Sequence, residues 1–299
     1  MGDVHNPHDW SGHRPQPVTD DPTRLTGTRA ALLRALHRAG DPLTVPDIWD
    51  TASARLVVRA GFPAVATSGT AVAVSLGYPE GTVAPLADVL DTVAQIASDV
   101  PIPVIADLDR VPGVQARELV ERLIATGVAG CTLHEGDPSW EHPADVDEQA
   151  AFLAAVRDAV RGSGADLVVN ARIDSFVRVE RSAPGDGRPG GHGDLLDAAT
   201  ADAAAADAAA RARRYLAAGA DCVRPAGIHR PGDIRRLVAA TGGRVDVEFR
   251  ADAAPTPPPF ELARLGVARI SFGHALRRAG LEELQTRLAH IRAGRRPPG

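Results

Sequence analysis

Ala52-Ser-Ala-Arg-Leu-Val-Val-Arg-Ala-Gly-Phe-Pro-Ala-Val-Ala-Thr-Ser-Gly-Thr70 holds one full period of the pattern that decides the fold. Ala52–Ala60 has helical spacing, and Gly61 stops the helix. The short run Ala64–Thr67 reads as a strand, and it ends in the polar group Ser68-Gly69-Thr70. The same alternation recurs on both sides. The candidate strands are Leu43–Ile48, Ala64–Thr67, Pro103–Ala106, Gly130–Leu133, Leu167–Ala171, Cys222–Pro225, Arg244–Phe249 and Arg269–Phe272. Helical stretches follow them, around Ala52–Ala60, Leu86–Ser98, Gln115–Ala125, Glu148–Arg161, Leu195–Ala218, Gly232–Ala240, Phe260–Leu265 and His274–Arg292. Gly127, Gly219 and Gly266 repeat the stop made by Gly61. Eight such β–α pairs close most simply into an α/β fold of the (β/α)8 TIM-barrel type; a doubly wound sheet is the alternative.

The edges of the pattern set the expected domain limits. Residues 1–23 are rich in Pro, Asp, His and Gly and lack periodicity, so a disordered or loosely attached tail is expected there. Arg24–Ala39 has helical spacing and could cap the bottom of a barrel formed by residues 24–299. The Gly/Pro-rich segment Arg181–Asp194 reads as a flexible insertion. The Ala/Asp run Ala198–Ala210 favours helix through its alanine content.

Composition excludes several chemistries. All 33 basic residues are arginine, so Schiff-base aldolases, lysine-linked pyridoxal phosphate and Walker-type phosphate loops are ruled out. A net charge of −5 without a basic block argues against nucleic acid as a partner. The two cysteines, Cys131 and Cys222, lie in apolar runs and read as small buried hydrophobes. No signal peptide is visible and no apolar run approaches the ~20 residues of a membrane span. A soluble cytoplasmic protein without a membrane partner is expected.

In closed α/β barrels the chemistry sits at the C-terminal ends of the strands. Those ends here carry Asp47, Trp49 and Asp50; Ser68-Gly69-Thr70; Asp107 and Asp109; His134-Glu135-Gly136-Asp137; Asn170, Arg172 and Asp174; Arg224; Glu248 and Arg250; and Gly273-His274. Two aspartates at i and i+2 repel unless a cation lies between them, and a hard divalent ion is the usual solution. Magnesium fits best, with manganese possible if His134 joins Asp107 and Asp109. An arginine opposite would hold the carboxylate or phosphonate of a small acid. Each feature also has a plainer account: Arg172 and Asp174 could pair as a structural bridge, His134 could be an ordinary strand-end histidine, and Ser68-Gly69 could be only a turn.

Several segments together resemble the isocitrate lyase/phosphoenolpyruvate mutase superfamily. They are Asp47-Ile-Trp-Asp-Thr-Ala-Ser-Ala-Arg55, Ala60–Gly69, Ser75-Leu-Gly-Tyr-Pro-Glu-Gly81, Val168-Val-Asn-Ala-Arg-Ile-Asp174, Ala218-Gly-Ala-Asp-Cys-Val223 and Glu261–Ser271. The resemblance spans about Leu43 to Ala279. It implies a phosphoenolpyruvate mutase-like barrel that uses magnesium to make or break C–C or P–C bonds in 2-oxo acids through enolate-like states. It assigns Asp107 as direct metal ligand, Asp109 as a ligand through water, and Ser68, Gly69 and Thr70 as the cradle for an oxyanion. Arg172 would be the carboxylate or phosphonate anchor, with Trp49 also on the substrate and Glu80 near the metal waters. It also implies a homodimer or homotetramer built on the C-terminal helix.

The departures are as informative. Where the superfamily has glutamate and then aspartate after the fourth strand, this chain has His134 and Glu135. The Gly-Tyr-Gly that commonly follows the second metal aspartate is replaced by Arg110-Val-Pro-Gly113. The Lys-Lys/Arg-Cys-Gly-His loop of the lyases is absent. The leading expectation is a Mg2+-dependent carbon–carbon lyase or hydrolase acting on a small oxo- or hydroxy-carboxylate, with His134 or Glu135 as acid or base beside Arg172. The alternative is a repurposed member with a weakened or lost metal site, acting as a tailoring enzyme of another class or as a binding protein.

Overall fold

The computed structural model describes residues 22–109, 113–136, 145–182, 198–250 and 255–297. Helix α1 (Pro22–Leu36) leads into β1 (Leu43–Val45), β2 (Asp47–Ile48), α2 (Thr51–Arg59), β3 (Val65–Thr67), α3 (Gly69–Ser75) and α4 (Leu86–Asp99). There follow β4 (Val104–Leu108), α5 (Ala116–Thr126), β5 (Gly130–Leu133), α6 (Val146–Ser163), β6 (Val168–Ile173), α7 (Ser175–Ser182) and α8 (Ala198–Ala217). The chain continues through β7 (Cys222–Pro225), α9 (Pro231–Thr241), β8 (Asp246–Glu248), α10 (Pro259–Leu265), β9 (Arg269–Ser271) and α11 (Ala275–Arg292).

Every strand pairing is parallel. One sheet runs β2-β3-β4-β5-β6-β7 and the other β1-β9-β8. The expected first strand, Leu43–Ile48, is split at Pro46, which has no N–H to give a ladder. Its first half pairs with β9 and its second with β3, so this strand joins the two sheets on one side. On the other side Val223 of β7 bridges to Val245, just ahead of β8. The circuit is thereby completed as an eight-strand barrel.

Alternation along the strands sorts the side chains. Val104, Ala106, Leu108, Cys131, Leu133, Val169, Ala171, Ile173, Val223 and Val247 belong to the core shared with the surrounding helices. The inward set is apolar at the bottom: Leu43, Val45, Ala64, Ala66, Ile105, Ala129 and Val168 pack with Leu33 of α1. Helix α1 therefore plugs the N-terminal end of the barrel. The approach is close, since a Cβ on Gly130 would lie 2.5 Å from the Val168 carbonyl and 3.2 Å from the Leu33 side chain. Gly61, Gly127, Gly219 and Gly266 all stand at positive φ, as helix stops require.

Two short helices depart from the sequence reading. Ser68-Gly69 is not merely a turn: Ser68 caps α3, its side chain accepting from the Ala71 N–H at 3.3 Å. The start of the expected insertion is helical, because α7 runs through Ser182. Residues 183–197, and with them most of the Arg181–Asp194 segment, lie outside the described residues, as do residues 1–21, 110–112, 137–144 and 251–254. Among the described residues, no helix is long and apolar enough to cross a membrane.

Candidate active site at the C-terminal rim

The rim gathers residues that the strands lift to one level. Asp107 near the end of β4 is aligned with Thr132 of β5, so His134 follows beside it. Arg172 of β6 is in register with Arg224 of β7, which puts both guanidiniums on the inner face. The result is a chain of contacts. His134 places Nε2 3.0 Å from Asp107 Oδ1 and Nδ1 2.8 Å from Asp109 Oδ1. Arg224 donates from Nη2 to the same Asp107 Oδ1 at 2.8 Å. The other Asp107 oxygen accepts the Gly69 N–H at 3.3 Å, and the Asp107 N–H donates to the Thr67 hydroxyl at 3.0 Å.

Burial alone would raise the Asp107 carboxyl; Arg224 first, then His134 and Arg172, overturn that and hold it well below the usual carboxylate range. The His134 ring is pulled down by burial and by Arg172, but the two aspartates more than offset this and raise it.

Arg172 is the outer cation. Its Nε donates to Asp174 Oδ1 at 2.7 Å, and its Nη1 stands 3.5 Å from His134 Nδ1. Its side chain is 19% exposed, against 3% for Arg224. The bridge to Asp174 is thus real, and it orients an arginine that still reaches the mouth.

The remaining expected residues fall as follows. Trp49 is half-buried against the core, with its backbone N–H donating to the Ser53 hydroxyl. Thr70 is exposed at the start of α3. Glu80 is exposed between α3 and α4, and no hydrogen bond or ion pair joins it to the aspartates. A cavity of about 340 Å³ lies at the opposite end of the barrel, among Arg34, His37, Asp221 and Arg244. The Arg34 and Asp221 charges there pair with each other, away from the rim.

Glu135 corrects an expectation. It is fully buried and each oxygen is already used. Oε1 accepts from the Asp174 N–H at 2.8 Å and from Arg178 at 3.1 Å. Oε2 accepts from Arg211 at 3.2 Å and from the Tyr215 hydroxyl. A carboxylate saturated by four donors has no free lone pair for a substrate proton. Glu135 therefore ties the end of β5 to α7 and α8, and is neither acid nor base.

The metal expectation meets a similar obstacle. Among the described residues, no group of three or more His, Cys, Asp or Glu side chains is arranged to hold an ion. His134 bridges the two aspartates instead of joining them as a third ligand, and Arg224 already neutralises Asp107. An ion about 2.1 Å from Asp107 Oδ1 would lie within about 5 Å of the Arg224 nitrogen, a like charge that opposes it. The donor set in this arrangement does not fit magnesium or manganese.

Sequence reasoning placed Arg224 on its strand but gave it no role. Its inward position follows from the alternation through Cys222 and Arg224, which was the available signal.

A parallel barrel with its charged cluster at the C-terminal rim is the architecture of barrel enzymes. This chain belongs to the phosphoenolpyruvate phosphomutase family, whose model matches residues 33–292. It is 28% identical over 260 residues to the chloroplastic carboxyvinyl-carboxyphosphonate phosphorylmutase of Arabidopsis thaliana, covering 81% of this chain and 69% of that protein. It is 29% identical over 227 residues to a Corynebacterium glutamicum protein assigned as a 2-methylisocitrate lyase, covering 75% of this chain and 66% of the other. Among solved structures, a Burkholderia cenocepacia J2315 protein assigned as a phosphonomutase superposes with a TM-score of 0.75 at 34% identity, covering 90% of this chain and 99% of that one.

Two outcomes follow from the geometry. Removing the Glu135 carboxylate takes away the acceptor shared by the buried Asp174 N–H, the Tyr215 hydroxyl, Arg178 and Arg211, while the arginines keep Asp207. Glu135→Ala should therefore destabilise by about 3–5 kcal/mol in a denaturant titration.

Asp47 gives a pH signature. Its Oδ2 accepts the N–H groups of Phe272 at 2.6 Å and Gly273 at 3.0 Å, and burial pushes its carboxyl up to about 7. The folded state then keeps a proton that the unfolded state releases near 3.8. This group's contribution to stability is greatest below that value and falls as the pH rises toward 7. Asp47→Asn should gain stability relative to the parent, by a few kcal/mol, between pH 4 and pH 7, and level off above. A difference that stays flat across this range in melts at stepped pH would contradict the assignment.

Proposed function

We propose that this protein is a carbon–carbon bond lyase or hydrolase acting on a small 2-oxo or 2-hydroxy carboxylate through an enolate-like state. The observation that carries the reading is Arg172, a partly exposed guanidinium held at the mouth by Asp174 and directed at His134. A planar fork suits a carboxylate held by two parallel bonds. The names borne by the relatives, a phosphorylmutase and a 2-methylisocitrate lyase, agree with a small-acid substrate. The start of α3, with Ser68, Gly69 and Thr70, borders the same aspartates and would face the substrate oxygens.

Proton transfer falls to the Asp107–His134–Asp109 chain. Its outer end, Asp109, is 35% exposed and its inner end is fixed by Arg224. A proton leaving the substrate is taken up by the Asp109 carboxylate, which the His134 ring behind it holds in place. As bonds break, Arg172 holds the carboxylate still and balances the developing negative charge. Arg224 beside Asp107 favours one part of the alternative reading, a family member with an altered metal site.

The chain would work in the cytoplasm as a homodimer or homotetramer. Helix α11 buries none of its residues and exposes Leu281, Leu284, Leu288 and Ile291 along one face. An apolar helical stripe of this kind is covered when a second copy packs against it.

Oxalate is the probe for the first claim. Arg172→Lys keeps the charge and loses the fork, so oxalate affinity by calorimetry should fall by about tenfold or more while the melting temperature hardly moves. A lower melting temperature with affinity intact would make Arg172 structural and remove the basis for an acidic substrate. For assembly, Leu284→Glu combined with Leu288→Glu should shift the sedimenting species to monomer. A parent protein that already sediments as a monomer would defeat the claim.

A further inference from the structure

The Arg224–Asp107 pair does more than neutralise a carboxylate. Arg224 sits where the barrel is closed to solvent, and its Nε is buried without a partner. The His134 ring fills the space between Asp107 and Asp109, touching one with each nitrogen. The Gly69 N–H takes the remaining Asp107 oxygen. Each of these contacts uses an oxygen that a divalent ion would need, and each comes from a different element: β7, the end of β5, and the start of α3.

We propose that this chain carries its own cation: Arg224, with the His134 ring wedged between the aspartates, stands in for the divalent ion and makes a metal-independent site for a small carboxylate. The proposal rests on the reading above that the rim binds such an acid. A guanidinium is always charged and cannot be stripped by a chelator. It offers hydrogen-bond donors where a metal offers open coordination positions. A substrate would therefore be held by donors from Arg172 and by the field of Arg224, with no oxygen of the acid bound to an ion. The exchange is a swap of charge at one position. A built-in cation on β7 removes the electrostatic need for a bound one between Asp107 and Asp109.

The test separates this claim from the substrate reading. The full-length protein, treated with EDTA and desalted, is titrated with Mn2+ and followed by electron paramagnetic resonance. No saturable site is expected through the low millimolar range. Oxalate affinity measured by calorimetry is expected to be the same with and without EDTA. The double variant His134→Glu/Arg224→Met removes the built-in cation and supplies a third carboxylate, so it is expected to gain at least about tenfold in Mn2+ affinity. If circular dichroism shows that variant unfolded, Arg224→Gln takes its place with the same expected direction. Saturable Mn2+ binding by the parent within the low millimolar range overturns the proposal. So does a folded variant that still refuses the ion, since Arg224 would then not be what excludes it. Absence of oxalate binding would instead defeat the small-carboxylate reading, while the Mn2+ arm still decides the charge replacement.

Discussion

A charge placed inside a barrel must meet its opposite there, and the pairing of Arg224 with Asp107 is that constraint at the rim. Both side chains are nearly closed to water. Breaking such a pair by deleting one partner typically costs about 3–5 kcal/mol, because the survivor is left uncompensated. The pair therefore fixes the position of both β4 and β7 side chains across the barrel mouth. Once Asp107 is fixed, Gly69 has a defined acceptor and α3 a defined start. His134 then has a defined partner for Nε2, which turns Nδ1 toward Asp109.

The same logic runs down the barrel axis. The lowest inward residues are apolar and are closed by α1. Above them lies a polar layer. Asn170 donates to Asp246 at 2.9 Å, Ser271 donates to the other Asp246 oxygen at 2.9 Å, and Arg269 approaches Asp246 at 3.3 Å. The charged rim is the third level. On β6 the three levels are Val168, Asn170 and Arg172, two residues apart, so along that strand the gradient from oil to salt follows the period of the strand. Outside the rim, Glu135 repeats the principle: one buried carboxylate gathers donors from α7, α8 and the end of β6, and thereby holds the outer wall that the rim leans on.

What could be read from the sequence follows from the range of the forces involved. Gly130–Leu133 and Cys222–Pro225 have the limits expected of them, because their apolar runs are bounded by glycine or proline and by polar residues. The strands β4 and β6 run two residues further than expected, to Leu108 and Ile173. Their polar inward residues looked like loop, yet the ladder continues through Asp107 and Arg172. Helices α3 and α7 are short, and their anchors are tertiary or capping contacts that propensity does not report. Asp107, Asp109, His134 and Arg172 were legible as a rim group because strand ends mark one level. Their partners were not. Arg224 lies 117 residues from Asp107 along the chain, and no local pattern predicts that they meet. Glu135 looked available for chemistry for the same reason: Arg178, Arg211 and Tyr215, which saturate it, come from elements packed beside it only in the fold.

Charge balance explains why a histidine suits position 134. The connected inner group contains the carboxylates of Asp107, Asp109 and Asp174 and the guanidiniums of Arg172 and Arg224. Asp246 and Glu248 also act on Arg224, so the surroundings carry more negative charge than the two arginines balance. Burial opposes a proton on His134 and so does Arg172, yet the two flanking aspartates prevail and raise its affinity for one. A glutamate in its place would leave the group with four negative charges against two positive, a deficit that calls for an added divalent cation. With imidazole, His134 and Arg224 between them occupy the oxygens that Asp107 and Asp109 turn toward each other. The substitution and the arginine on β7 are thus two halves of one electrostatic arrangement, and neither is accounted for without the other.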